Sequence, residues 1–154
     1  MKILLAVDDS KFSREAVRRL IAQYRSKGTS VRVLHVVEPI SAYISATMFP
    51  HFAPYAPAVE ADRRREAAKL VQHTAQRLRQ AGFKATAIVE TGDPRNQIVS
   101  HAEKWGADLI MLGSHGFNRL NRLLMGSVSD AVARHAKCSV EVVRIRGAIP
   151  RTKK

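Results

Sequence analysis

Cysteine is almost missing: Cys138 is the single thiol in 154 residues. Without a second one there is no internal disulfide and no cysteine-based zinc cluster, and the expected setting is reducing and cytosolic. Aromatics are also few, 6% against 45% hydrophobic residues, which fits an aliphatic α/β interior and excludes a disordered or fibrous chain. Long apolar runs are lacking as well. None approaches the roughly 20 residues needed to span a bilayer, so no membrane partner is expected. The run Ile3-Leu-Leu-Ala-Val7 is cut at five residues by Asp8 and Asp9, too short for a signal-peptide core. The phosphate fingerprints G-x-x-x-x-G-K-[ST] and G-x-G-x-x-G occur nowhere, which removes most support for a P-loop enzyme or a dinucleotide dehydrogenase. Acidic residues number 13 against 26 Lys plus Arg, a formal charge of +13. That excess would attract any polyanion. The cations are scattered, however, and no cluster carries the aromatics of a stacking platform, so a solvated surface is preferred and nucleic acid is disfavoured as a partner.

What is present reads as alternating strands and helices. The length suits one domain, placed at residues 1–146 with a basic tail at 147–154. Residues 2–7 form a first strand apolar enough to be covered on both faces. Phe12, Ala16, Val17, Leu20, Ile21 and Tyr24 follow at helical spacing, with Lys27-Gly28 as the expected terminator. A β-branched strand at 31–37 leads into a segment, 38–58, broken by Pro39, Pro50, Pro54 and Pro57 and rich in aromatics. It reads as a long crossover or as a lid over a ligand. A helix at 59–81 carries Ala67, Leu70, Val71, Thr74, Ala75 and Leu78 on one stripe. A strand at 84–91 follows, and Asp93-Pro94 supplies an N-cap and a first-turn proline for a helix ending at Gly106. Strands at 108–112 and 140–145 flank a short helix at 128–137. The order implies an α/β fold: a Rossmann-like, open, doubly wound sheet of five mainly parallel strands with helices on both faces.

The chemistry concentrates after the fourth strand. Gly113 and Gly116 are expected to let the backbone turn sharply. After nine intervening residues, Gly126 and Ser127 open a helix whose bare N–H groups suit an anion. Asp8, at the end of the first strand, either accepts hydrogen bonds from a ribose or caps the first helix. Open parallel sheets bind ligands beyond their carboxyl ends, where these residues fall.

The set Ala6-Val-Asp8, Leu34-His-Val36, Gly92-Asp-Pro94, Gly113-Ser-His-Gly116 and Gly126-Ser-Val-Ser129 resembles the universal stress protein family in its ATP-binding branch. The resemblance implies base and ribose contacts from Ala6, Val7 and Asp8, and backbone contacts to adenine from Val36. It implies ribose and α-phosphate contacts from Leu112, Gly113, His115 and Gly116, and outer-phosphate contacts from Gly126, Ser127, Val128 and Ser129. The implied ligand is ATP, with Mg2+ or Mn2+ held mainly by the phosphates. A cytoplasmic homodimer, paired through the strand at 140–145, would signal its nucleotide state to a regulatory protein partner. The closing strand departs from the family pattern in starting with Cys138 instead of proline and in placing Glu141 at that seam. Cleavage of ATP would require charge stabilisation at the γ-phosphate. Arg119 and Arg122 in the spacer read as solvated and His115 as a binding residue, so no catalytic residue is assigned and turnover is at most slow. The alternatives are an interaction module of the same fold that uses no nucleotide, a basic binder of nucleic acid or anionic surfaces, and, more weakly, an adenylating enzyme.

Overall fold

The computed structural model describes residues 1–40, 53–116 and 125–145. Five strands, β1 (Lys2–Ala6), β2 (Ser30–Val37), β3 (Lys84–Thr91), β4 (Leu109–Gly113) and β5 (Ser139–Val143), form one sheet in the order β3-β2-β1-β4-β5. Every neighbouring pair is parallel, so the expectation of a mainly parallel sheet is met in full. The helices are α1 (Lys11–Gln23), α2 (Ala56–Gln80), α3 (Pro94–Trp105) and α4 (Ser127–His135), and a short 3-10 turn (Ala53–Tyr55) precedes α2.

Right-handed crossovers decide which face each helix covers. The chain steps from β1 to β2 to β3 in one direction, so α1 and α2 lie on one face. It then returns past β1 to β4 and β5, and α3 and α4 lie on the other. Two cores follow from the strand period of two. Ile3 and Leu5 join Val17, Leu20, Val71 and Leu78 under α1 and α2. Leu4 and Ala6 join Ile98, Ile110, Leu112 and Val132 under α3 and α4. The stripe expected on α2 is the buried one, with Ala67, Val71, Thr74, Ala75 and Leu78 all buried. The direction reverses between β1 and β4, which opens a crevice above their carboxyl ends.

Local chemistry explains most of the boundaries. Ser10 caps α1 by accepting from the Ser13 N–H at 3.1 Å. Asp93 caps α3 ahead of Pro94, and Gly106 ends it with φ 66°, as the sequence implies. The end of α1 differs from expectation. Tyr24 is already extended, so Lys27-Gly28 does not terminate the helix directly. Gly28, φ +80°, instead turns the chain into β2. The phenol of Tyr24 donates to Glu141 Oε2 of β5 at 2.7 Å, a tertiary bond that competes with a further turn of helix. β5 also stops at Val143 rather than running to residue 145.

Candidate functional site

A cavity of about 370 Å³ opens above the carboxyl ends of β1, β2 and β4, within the size range of small-molecule sites. All twelve residues singled out from the sequence line it: Ala6, Val7 and Asp8 after β1, Val36 on β2, Leu112, Gly113, His115 and Gly116 after β4, and Gly126, Ser127, Val128 and Ser129 at the start of α4. Arg119 and Arg122, the aromatic segment 41–52 and the tail at 147–154 lie outside the described residues.

At one end, β2 offers an open backbone edge. The Val7 N–H donates to the Leu34 carbonyl at 2.9 Å, and the Gly92 N–H donates to the Val37 carbonyl at 3.0 Å. Backbone groups in a strand alternate direction, so the amide and carbonyl of Val36 point to the β1 side. The last β1–β2 pair is Ala6–Leu34, and Val36 lies beyond it. A donor and an acceptor thus stand side by side in the plane of the sheet, with no backbone partner among the described residues.

At the other end, α4 begins at Gly126, which supplies no side-chain cap. The amides of Ser127, Val128 and Ser129 belong to the first turn, where no carbonyl one turn back can accept them, and the positive end of the helix dipole adds to them. The turn is held from below: the Gly126 N–H donates to Ser114 O at 2.8 Å, and Ser129 Oγ donates to Ser114 O at 3.0 Å and Gly126 O at 2.9 Å.

Asp8 and His115 sit between these ends. Asp8 Oδ1 accepts from Ser13 Oγ at 2.6 Å and from the Ser10 N–H at 3.2 Å. Asp8 therefore braces the loop while Ser10 performs the capping. Asp8 Oδ2 faces Gly116, where a Cβ would come within 3.0 Å of it. His115 is 8% exposed, its ring lies 5.0 Å from that of Phe12, and its Nδ1 is 3.0 Å from Ser114 Oγ. Its Nε2 is buried with no hydrogen-bond partner among the described residues, a costly state for a polar atom unless a ligand completes it.

The chain bends at 114–115, between the two glycines, and what the glycines contribute there is the Cβ they lack. Neither Gly113 nor Gly116 has a positive φ. Gly113 is required because a Cβ there would meet Phe12 Cβ at 2.7 Å and Phe12 C at 2.9 Å: the start of α1 packs directly on β4.

The fold that forms this crevice is shared with known proteins. The sequence model of the universal stress protein family matches residues 1–144. The chain belongs to that family. Universal stress protein A homolog 2 of Coxiella burnetii is 33% identical over 148 residues, covering 96% of this chain and 97% of that one. The structure of MJ0577, a universal stress protein of Methanocaldococcus jannaschii, superposes with a TM-score of 0.79 at 29% identity, covering 94% of this chain and 96% of its own. At 19% identity, an Arabidopsis thaliana universal stress protein with AMP bound shares the fold, with a TM-score of 0.65 and coverage of 96% and 93%.

In this universal stress protein the cavity also has walls to which no ligand contact was assigned from the sequence. Ser13, Leu34, His35, Glu38, Arg63, Pro94 and Ile98 complete the lining. Ser13 was hidden because it acts through Asp8. His35 Nδ1 lies 2.7 Å from Val7 O, a link across neighbouring strands that no sequence spacing encodes. Arg63 falls in the run Arg63 to Arg65 and reads there as solvated surface; the fold brings α2 back over the end of β2. Glu141, expected at a subunit seam, is engaged within its own chain by Tyr24. Burial, reinforced by the Glu141 carboxylate, pushes the Tyr24 phenol up to about 12. No helix among the described residues is long and apolar enough to cross a membrane.

Proposed function

We propose that this universal stress protein binds an adenine nucleotide, with ATP as the full-length ligand, and passes its nucleotide state to a regulatory protein partner. The observation that carries the reading is the pairing of two unsatisfied backbone surfaces in one cavity. Val36 presents a donor and an acceptor that complement the edge of adenine, and the first turn of α4 presents amides that suit phosphate oxygens. The buried, unpartnered Nε2 of His115 supports a polar ligand between them. Support also comes from the AMP-bound relative and from an Archaeoglobus fulgidus universal stress protein in complex with dAMP.

Base and ribose lie against Ala6, Val7, Asp8 and Val36; ribose and α-phosphate lie against Leu112, Gly113, His115 and Gly116; the outer phosphates lie against Gly126 to Ser129. Mg2+ or Mn2+ accompanies the nucleotide, held mainly by the phosphates. His115, packed against Phe12 and Ser114, binds and does not act as a base, so turnover is slow at most. The protein works in the cytoplasm as a homodimer joined through the β5 edge.

Equilibrium dialysis with ATP tests the reading through Gly126→Asp. Asp is a favourable N-cap residue whose carboxylate would occupy the anion position, and Gly126→Ala, whose Cβ would stand at the same 3.0 Å from Ser114 O, controls for the added bulk and should bind more tightly than Gly126→Asp. The expected outcome is saturable ATP binding by the wild type and its loss in Gly126→Asp, with an unchanged far-ultraviolet circular dichroism spectrum. Equal binding by these two proteins would refute the placement.

A further inference from the structure

The direction of the Val36 backbone groups sets the orientation of the ring that would occupy the cavity. Both groups lie in the plane of the sheet, so a planar base hydrogen-bonded to them extends that plane, as an additional strand would. Its two π faces then turn toward the two faces of the sheet. On the α3 side the cavity wall is Pro94 and Ile98. On the α2 side it includes Arg63.

Arg63 is held in place there. Its Nη1 donates to the Glu38 carbonyl at 2.9 Å, two residues beyond Val36. One turn earlier on the same helix, Glu60 Oε1 accepts from the Ile40 N–H at 2.9 Å. Two bonds three residues apart on α2 therefore clamp the chain that leaves β2, and the first of them brings the guanidinium of the exposed Arg63 beside the base position. A guanidinium is planar, stays charged and stacks on aromatic faces while its N–H groups bond in their own plane. The bond to Glu38 O leaves its π face available.

Resting on the nucleotide reading above, we propose that Arg63 is a base-stacking residue: its guanidinium covers one face of the bound base while Pro94 and Ile98 cover the other. Arg63 thereby selects ligands that carry an aromatic base over ligands that carry only phosphates.

Isothermal titration of ATP, AMP and inorganic tripolyphosphate into the wild type, Arg63→Ala, Arg63→Lys and Arg64→Ala separates the possibilities. Arg64 is a neighbouring cation that donates to Thr91 Oγ1 at 2.6 Å and stands outside the cavity lining, so its variant controls for net charge. Arg63→Ala should weaken ATP and AMP by about three- to thirty-fold, the range of a cation over an aromatic face, and leave tripolyphosphate unchanged. Arg63→Lys, which keeps the charge and loses the plane, should also bind ATP more weakly than the wild type, and Arg64→Ala should match the wild type. The proposal is overturned if Arg63→Ala binds ATP as the wild type does, or if it loses ATP and tripolyphosphate affinity in equal measure. A wild type that binds neither ATP nor AMP would instead refute the nucleotide reading itself.

Discussion

Gly113→Ala isolates the closest contact in the site. A Cβ at this position would stand 2.7 Å from Phe12 Cβ, 2.9 Å from Phe12 C and 3.1 Å from the Ser13 N. Two of these three atoms are backbone, so no rotation of a flexible side chain relieves the clash, and α1 must move away from β4. Adding a methyl group to a closed interface of this kind costs about 1–3 kcal/mol. For a chain of this size that corresponds to a fall in Tm of roughly 2–12 °C. The displacement would also reach the cavity, because Phe12 supports the His115 ring and Ser13 holds Asp8 Oδ1. Calorimetry combined with ATP titration should therefore show loss of stability and weaker binding together. Gly28→Ala is the contrasting case: nothing lies within 4 Å of its Cβ, and its φ of +80° imposes backbone strain of about 1–2 kcal/mol far from the cavity. It should lower Tm and leave binding intact. If Gly113→Ala melts and binds like the wild type, the packing of α1 on β4 described above is wrong.

Two further predictions concern titration. Burial first, then the Arg32 guanidinium, holds the His101 imidazole below its ordinary value; Arg32 Nη1 lies 3.3 Å from His101 Nε2. The 3.7 Å approach to Glu90 is therefore not an ion pair at neutral pH. Because the unfolded chain takes up the proton more readily, the stabilisation is complete above about 6.5 and is lost as pH falls toward the folded value. Denaturant unfolding at stepped pH should show this acid limb reduced in His101→Gln, and an unchanged limb would contradict it. The Tyr24 phenol, pushed up to about 12, should ionise well above the usual tyrosine value of about 10 in an ultraviolet titration, and Glu141→Ala should lower its midpoint. Its stabilising contribution is present below pH of about 10 and is lost as pH rises toward 12. A Tyr24 midpoint near 10 would refute the bond to Glu141.

The fold was readable because its signals are local and repeat. Short apolar or β-branched runs and helical stripes placed the elements, Asp93-Pro94 and Gly106 bounded α3, and the order of elements with right-handed crossovers led to the parallel sheet. The grouping of Asp8, Val36, Gly113 and Gly126 around one cavity was also legible, since the first three lie at or just beyond strand ends that a parallel sheet brings together and Gly126 opens the helix that follows the last of them. What escaped is what depends on approach between elements distant in sequence. No spacing reveals that Gly113 must admit Phe12, that Ser13 braces Asp8, or that Arg63 returns over β2 after a long crossover. Glu141 shows the same limit: the family resemblance placed it at a subunit seam, and only the packing of α1 against β5 shows that its carboxylate accepts from Tyr24 of the same chain.

The central claim, that base and phosphates occupy opposite ends of one cavity, is tested most directly by amide chemical-shift mapping during an ATP titration. Saturating shifts are expected at Val36 and at Ser127, Val128 and Ser129, with inorganic tripolyphosphate moving the α4 amides and leaving Val36 in place. Shifts confined to the arginine-rich start of α2 and abolished by moderate salt, or no shifts at either end of the cavity, would contradict it.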